Sequence, residues 1–240
     1  MSPRWAFIAG CITVGVTVAV TESIASSRTV RFDEITVGRI NIVEPDGTKR
    51  IIISNRSQFP GDFYRGKETQ RPDRRDSAGL LFINDEGTEN GGLIQSGVEG
   101  KDGKANAGLS LTFDRFRQDQ ALQLSHDDDG AKSLSAVRIN DVPDPNVSSY
   151  DDMHRYLHDT LKMTPEEKRD YVQKLKDEGK LLQNRIYLGT TEDHAAALVL
   201  KDAKGKPRLR LAVTDGGDAV VELLDAQGRV LKRVNASSQE

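Results

Sequence analysis

The sequence predicts a mainly β fold in which repeated β-hairpins form an elongated meander or β-roll, with a small αα-hairpin insert. Three observations support this prediction. Residues 185–207 and 208–230 are two copies of one 23-residue unit, identical at eight positions. Apolar and polar residues alternate along many segments, and turns recur that begin with an acidic residue or Asn and have Gly at the fourth position. A unit repeated at a fixed period stacks on its neighbour and buries surface that neither copy can bury alone.

Each copy of the repeat predicts two short strands closed by a turn. In the second copy, Leu209, Leu211 and Val213 alternate with charged or small residues. This period of two predicts that the apolar set is buried and the other set faces water. Asp225 and Gly228 fit the ends of a turn, because Asp accepts backbone N–H bonds and Gly tolerates positive φ.

The same turn occurs at 44–47, 84–87 and 202–205, which predicts hairpins from residue 35 to the C-terminus. One-sided alternation favours antiparallel sheets over a parallel sheet covered on both faces. Two 23-residue units approach the length of a propeller blade, but the chain has room for fewer than the usual minimum of four blades. We therefore expect the meander or β-roll.

Composition sets limits on the core and on the partners. Of 240 residues, 36% are hydrophobic and only 5% aromatic, which predicts a thin core of Leu, Ile and Val. The net charge of −3 is spread over interspersed charges, so nothing favours nucleic-acid binding. Cys11 is the sole cysteine, which excludes an internal disulfide and a cysteine-ligated metal.

Residues 1–25 predict a signal peptide or an uncleaved signal anchor. Arg4 provides the positive charge, Trp5–Val20 has no charged residue, and Ala25 ends a plausible cleavage site. The stretch is slightly short for a membrane span, which favours cleavage. Lipidation of Cys11 is a third alternative, although the apolar stretch continues past it. We expect an exported chain, periplasmic or anchored to the inner membrane by this segment alone.

The N-terminal β region, 26–147, contains a long polar stretch between Ile83 and Leu93. A hairpin needs only two to five connecting residues. The candidate ligand-binding residues here, for a cation or a sugar hydroxyl, are Asn84, Asp85, Glu86, Glu89 and Asn90. They lack the ligand spacing of an EF-hand, and an ordinary long turn is the alternative. The acidic run 127–129 fits a solvated turn better than a calcium site.

Residues 54–79 show little periodicity and predict a long irregular loop, either functional or disordered, or else pinned by its aromatic residues to a sheet edge. Residues 148–182 predict the αα-hairpin insert, because Ser149 and Thr164 begin segments of helical spacing and Gly179 ends the second.

His154 and His158 lie one turn apart, but Arg155 occupies the place of a metalloprotease's glutamate base. We predict no metal and no other cofactor. The last region, 183–240, carries the repeats.

Two segments resemble the hallmark sequences of an uncharacterised family of exported or membrane-anchored bacterial proteins. They are residues 32–47, FDEITVGRINIVEPDG, and residues 82–94, FINDEGTENGGLI. The resemblance implies a bacterial, non-cytoplasmic protein and carries over no catalytic residue.

The expected function is that of a non-enzymatic, extracytoplasmic binding or structural module of the bacterial envelope. The sequence has no nucleophile elbow, P-loop or dinucleotide fingerprint. The alternative is an envelope glycan hydrolase that uses carboxylates of residues 84–90. We also expect self-association through the apolar stripe of the αα-hairpin, including Leu157 and Leu161, with an envelope component or a glycan as a further partner.

Overall fold

The computed structural model describes residues 29–101 and 103–235. The predicted leader, 1–25, and Cys11 lie outside the described residues. Residues 29–36 contain no helix or strand and belong to a separate unit. All the described helices and strands lie in residues 37–235. Among the residues that the structure describes, no helix is both long and apolar enough to cross a membrane.

Twelve strands form one open antiparallel sheet, in which they lie side by side in the order in which they occur along the chain. They are β1 (Arg39–Val43), β2 (Lys49–Ser54), β5 (Ala78–Ile83), β6 (Glu89–Glu99), β7 (Ala105–Asp114), β8 (Gln120–Asp128), β9 (Ser133–Asp141), β10 (Gln183–Thr190), β11 (Ala196–Lys201), β12 (Pro207–Val213), β13 (Ala219–Leu224) and β14 (Val230–Asn235). The remaining two strands, β3 (Asp62–Tyr64) and β4 (Lys67–Thr69), form a separate hairpin. The predicted mainly β meander is confirmed.

The turns follow the sequence pattern. Asp225 Oδ1 accepts hydrogen bonds of 2.9 Å from the backbone N–H groups of Gln227 and Arg229, and Gly228 has a φ of 80°. In the first repeat copy, Asp202 accepts the equivalent bonds and Gly205 has a φ of 73°. Left-handed backbone at the fourth position is the reason for glycine there.

Cross-strand pairing aligns two continuous rows of apolar side chains on one face of the sheet. The first row is Ile40, Ile53, Leu80, Leu93, Leu111, Leu124, Val137, Leu188, Leu198, Leu211, Val221 and Val234. The second row is Ile42, Ile51, Phe82, Gly91, Phe113, Leu122, Ile139, Ile186, Leu200, Leu209, Leu223 and Lys232. Only Gly91 and Lys232 interrupt the apolar character. We call these two rows the apolar face.

The apolar face is the more exposed face in the repeats, which is the reverse of the predicted burial. Leu211 remains 38% exposed and Leu223 45%, whereas Glu222 on the opposite face is only 3% exposed. Arg210 and Arg233 flank Glu222 and cover its carboxylate, with nitrogen–oxygen distances of 3.5 Å from Arg210 and 2.8 Å from Arg233. Long polar side chains thus shield this part of the opposite face in the repeats, and no described element covers the apolar one.

The predicted irregular loop, 54–79, is an ordered cover for the first strands of the sheet. It contains the β3–β4 hairpin, flanked by two short 3₁₀ helices. Phe63 of β3 is buried and packs in one cluster with Ile52, Leu81 and Ile83. Aromatic burial, rather than alternation along the chain, holds this segment in place.

The αα-hairpin follows the capping signals. Helix α1 (Tyr150–Thr160) begins after a capping box between Ser149 and Asp152, and α2 (Pro165–Asp177) begins after one between Thr164 and Glu167. Helix α1 packs on the β3–β4 hairpin, where the Tyr150 hydroxyl donates to the Phe63 carbonyl at 2.7 Å. The helical insert therefore brings α1 side chains against residues about 90 positions earlier in the chain.

Candidate functional site

The predicted ligand-binding segment is shorter in the structure than the sequence suggests. Strand β5 ends at Ile83 and β6 begins at Glu89, so only five residues connect them. The Asn84 side chain closes this turn, since its Oδ1 accepts from the backbone N–H groups of Glu86 and Thr88 at 3.1 Å each. Asn90 lies on β6 and is exposed. The Asn84 side chain therefore stabilises the turn, and Asn90 is an exposed residue of the strand.

The three carboxylates of the segment have separate partners. Each is held by a different arginine: Asp85 by Arg50, Glu86 by Arg117 at 2.6 and 2.7 Å, and Glu89 by Arg74 at 2.8 and 3.0 Å. The Arg74–Glu89 pair is the most shielded, with both side chains less than a fifth exposed. Bidentate pairing occupies both oxygens of Glu86 and Glu89, whereas exposed Asp85 uses only one oxygen.

Two acids that the sequence analysis did not single out flank the turn between β7 and β8. Asp114 ends β7, and its Oδ1 is buried without a hydrogen-bond partner among the described residues. Burial, together with the negative charges of Glu89 and Asp119, raises its pKa to about 8. Burial also raises the pKa of Asp119. Asp114 is therefore mostly protonated at neutral pH.

These acids line a small cavity between the sheet, the β3–β4 hairpin and α1. Its volume is about 130 Å³, and Arg74, Met153 and Leu157 also line it. Ligand sites for small molecules usually have volumes of about 300–1,000 Å³. A sugar ring does not fit well in such a space, so the raised pKa of Asp114 reflects a closely packed polar interior.

A larger cleft lies beside Glu86 and has a volume of about 580 Å³. Tyr150 and Asp151 of α1 form its other wall. The Tyr64 hydroxyl and the Arg65 guanidinium donate to Asp151 at 2.5 and 3.0 Å, and these bonds hold the pKa of Asp151 below its usual range. Glu86 is the one predicted site residue that lines a cleft of ligand-binding size.

The apolar face extends across all twelve strands of the described sheet. Twelve of its apolar side chains are 38–52% exposed, in the middle of the sheet as well as at the edge, and the others are of intermediate exposure: Leu124 is 42% exposed, Leu188 51% and Val234 52%. An exposed apolar patch of more than a few hundred Å² on a protein marks an interaction surface. The alternation seen in the sequence identified part of this face, including Leu209 and Leu211, but assigned those residues to a buried side.

Comparison with known proteins gives no family for this chain. The sequence matches no protein-family model and no curated protein. The resemblance of residues 32–47 and 82–94 to a family of exported bacterial proteins therefore stays a prediction.

Proposed function

We propose that this chain is a non-enzymatic structural module of the bacterial envelope that works as a homodimer, with two copies stacked through their apolar faces. The uncovered apolar face across all twelve strands carries the proposal. Removing apolar surface from water is the main driving force of stable association. The predicted leader at 1–25 is the support for the location outside the cytoplasm.

The size of the apolar face fits what a stable dimer needs. Eleven strand spacings of about 4.8 Å make it about 53 Å long, and two rows of about 7 Å each make it about 14 Å wide. The resulting area is about 700 Å² on each copy, close to the roughly 800 Å² per partner of a standard specific interface. Two antiparallel sheets stack face to face at a separation of about 10 Å.

A second copy is the occupant that matches the chemistry of this surface. Among the 24 positions of the two rows, Lys232 is the sole charged residue, and it lies on the edge strand β14. A two-fold dimer places the same patch on both sides of the interface, so an apolar face meets an apolar face. A charged or polar partner would leave its own polar groups unpaired against this surface.

The sheet face is a better interface than the αα-hairpin stripe predicted from the sequence. Met153 of that stripe is buried, and Leu157 lines the small cavity within the same chain. Leu161 keeps an exposed fraction of 36%. The stripe is therefore mostly used in packing α1 onto its own chain, which leaves little apolar area for a partner.

The alternative function, a glycan hydrolase, has weaker support. The cleft beside Glu86 has the volume for a sugar, but Glu86 and Asp151 on its walls are each bound to an arginine. A glycosidase needs one carboxyl group to protonate the leaving group and a second to act as nucleophile or base. Arginine-paired carboxylates on both walls fit a structural role better.

The test is a pair of adjacent glutamate substitutions measured by sedimentation velocity or light scattering. Leu124→Glu places a charge on the apolar face, while Gln123→Glu places the same charge on the opposite face of β8. We expect a dimeric parent, a dimeric Gln123→Glu variant and a folded monomer for Leu124→Glu. The dimer dissociation constant should rise at least about 100-fold, because each interface would bury two unpaired carboxylates.

A third variant separates the two possible interfaces. Leu161→Glu, at the exposed end of the stripe, should leave the dimer intact if the sheets stack, and should weaken it if the αα-hairpin is the contact. A parent chain that is monomeric at tens of micromolar would refute self-association through either surface. Dimers that survive Leu124→Glu would refute the stacked-sheet arrangement.

A further inference from the structure

We propose that Asp62, His154 and His158 form a binding site for one divalent transition-metal ion of the zinc class. Asp62 lies on β3, and the two histidines lie one turn apart on α1. One oxygen and two nitrogens from these side chains lie within 4.8 Å of one another. A metal ion there would join α1 to the β3–β4 hairpin.

The two distances from Asp62 are close to the edge length of a tetrahedral coordination shell, and the two histidine nitrogens lie within 4.8 Å of each other. Asp62 Oδ2 lies 3.1 Å from His154 Nδ1 and 3.8 Å from His158 Nε2. Ligands bound at about 2.1 Å in tetrahedral geometry are about 3.4 Å apart. The observed distances bracket that value, so small side-chain rotations suffice to close the site on an ion.

Neighbouring groups restrict the ligands to this arrangement. The Tyr64 ring stacks on the His154 ring with 3.8 Å between centroids. Thr69 Oγ1 lies 3.5 Å from His158 Nε2 and donates to the Asp62 carbonyl at 3.3 Å. Stacking on Tyr64 fixes the plane of the His154 ring, whereas an ion bound to His158 Nε2 would replace the long contact of that nitrogen with Thr69.

Exposure and charge also permit an ion. The side chains are partly shielded, with exposed fractions of 14% for Asp62, 24% for His154 and 28% for His158, so an ion can reach them from solvent. The nearby cation Arg74 is bound to Glu89 at both nitrogens, and this bidentate pairing offsets its charge.

The ligand set selects the class of metal. Two imidazole nitrogens and one carboxylate oxygen suit Zn²⁺, Co²⁺ or Ni²⁺, whereas Ca²⁺ and Mg²⁺ prefer all-oxygen sites. Three protein ligands leave the fourth tetrahedral position for water or an external ligand. The sequence predicted no metal because Arg155 replaces a catalytic glutamate, but that argument concerns metalloprotease chemistry. Asp62, 92 residues before His154, was too distant in sequence to be recognised as the third ligand.

The experiment is a calorimetric titration of the full chain with Zn²⁺, after a chelator has removed any bound metal. We expect saturable binding of one ion per chain, and Co²⁺ in its place should show the visible absorption of a tetrahedral complex. His158→Gln and Asp62→Asn should each weaken Zn²⁺ binding by about 100-fold or more, since each removes one of three ligands.

The chain supplies its own controls. His126 and His194 are the remaining histidines, so His126→Gln and His194→Gln should keep the parent's affinity within about twofold, because neither residue contacts the site. Metal-free melting curves establish whether each variant folds as the metal-free parent does. A stripped parent that shows no saturable Zn²⁺ binding at micromolar concentrations overturns the proposal, whatever the variants do. Binding that disappears equally in His126→Gln would also overturn it.

Discussion

Replacing Asp114 with asparagine should stabilise the protein, and the gain should grow with pH. The pKa of Asp114 is about 8 in the folded chain, against 3.8 for an unperturbed aspartate. Between these values the folded chain binds a proton that the unfolded chain has released. Folding stability therefore falls as pH rises from about 4 to about 8, and this loss is complete above the folded pKa.

The size of the effect follows from the same two pKa values. At pH 7 the unfolded carboxyl is about three pH units above its pKa, and each unit corresponds to about 1.4 kcal/mol, so the maximum gain is about 4 kcal/mol. Asparagine has the shape of the protonated acid and never ionises. We expect Asp114→Asn to match the parent near pH 4 and to exceed it by about 2–4 kcal/mol at pH 7.

Urea unfolding curves recorded from pH 4 to pH 8 for both proteins measure this difference. Asp215→Asn, an identical change at an exposed turn residue, is the control and should leave the pH dependence of the free energy of unfolding unaltered. A difference between Asp114→Asn and its parent that stays constant over the whole pH range would refute the reasoning, because it would show that Asp114 ionises alike in both states.

Three further predictions concern a turn, an ion pair and the leader. Gly228→Val should lower the free energy of unfolding by about 1–2 kcal/mol, because valine disfavours a φ of 80°. Gly216→Val should lower it by less. Equal melting temperatures for the two variants would contradict the turn geometry. Glu89→Gln should lower the free energy of unfolding in urea by about 2–4 kcal/mol, because it leaves the shielded Arg74 without its counter-charge. Asp85→Asn, at an exposed pair, should lower it by less than about 0.5 kcal/mol. Residues 1–30 fused to a reporter active only outside the cytoplasm should give signal; silence would argue against export.

Local patterns in the sequence were sufficient to predict the hairpins and the helices. A turn such as 225–228 depends on a side chain two to four residues from its backbone partners, so four residues specify it. The capping boxes of α1 and α2 are equally local. The fold class was predictable for the same reason, because consecutive strands pair and each pairing spans a short stretch of chain.

Features that depend on distant residues were not predictable in this way. Alternation showed that each strand has an apolar side, but it could not show that arginines would shield the other side and that no described element would cover the apolar one. The segment 54–79 lacks periodicity because separate contacts hold it, among them the buried residues Pro60 and Phe63 and the Arg74–Glu89 pair. Asp114 and Glu89, and Asp62 and His154, meet only after the sheet and the insert have formed.

The meander also determines how this chain can change in length. Each repeat unit contributes two strands. Removing residues 208–230 would therefore preserve both the direction of the chain and the side of the sheet on which each later side chain lies. Lys232 and Val234 would then take the places of Leu209 and Leu211 beside β11, in the same register. Whole hairpins can thus be gained or lost by duplication or deletion at the C-terminal edge, whereas a change of one strand would reverse the path of everything that follows.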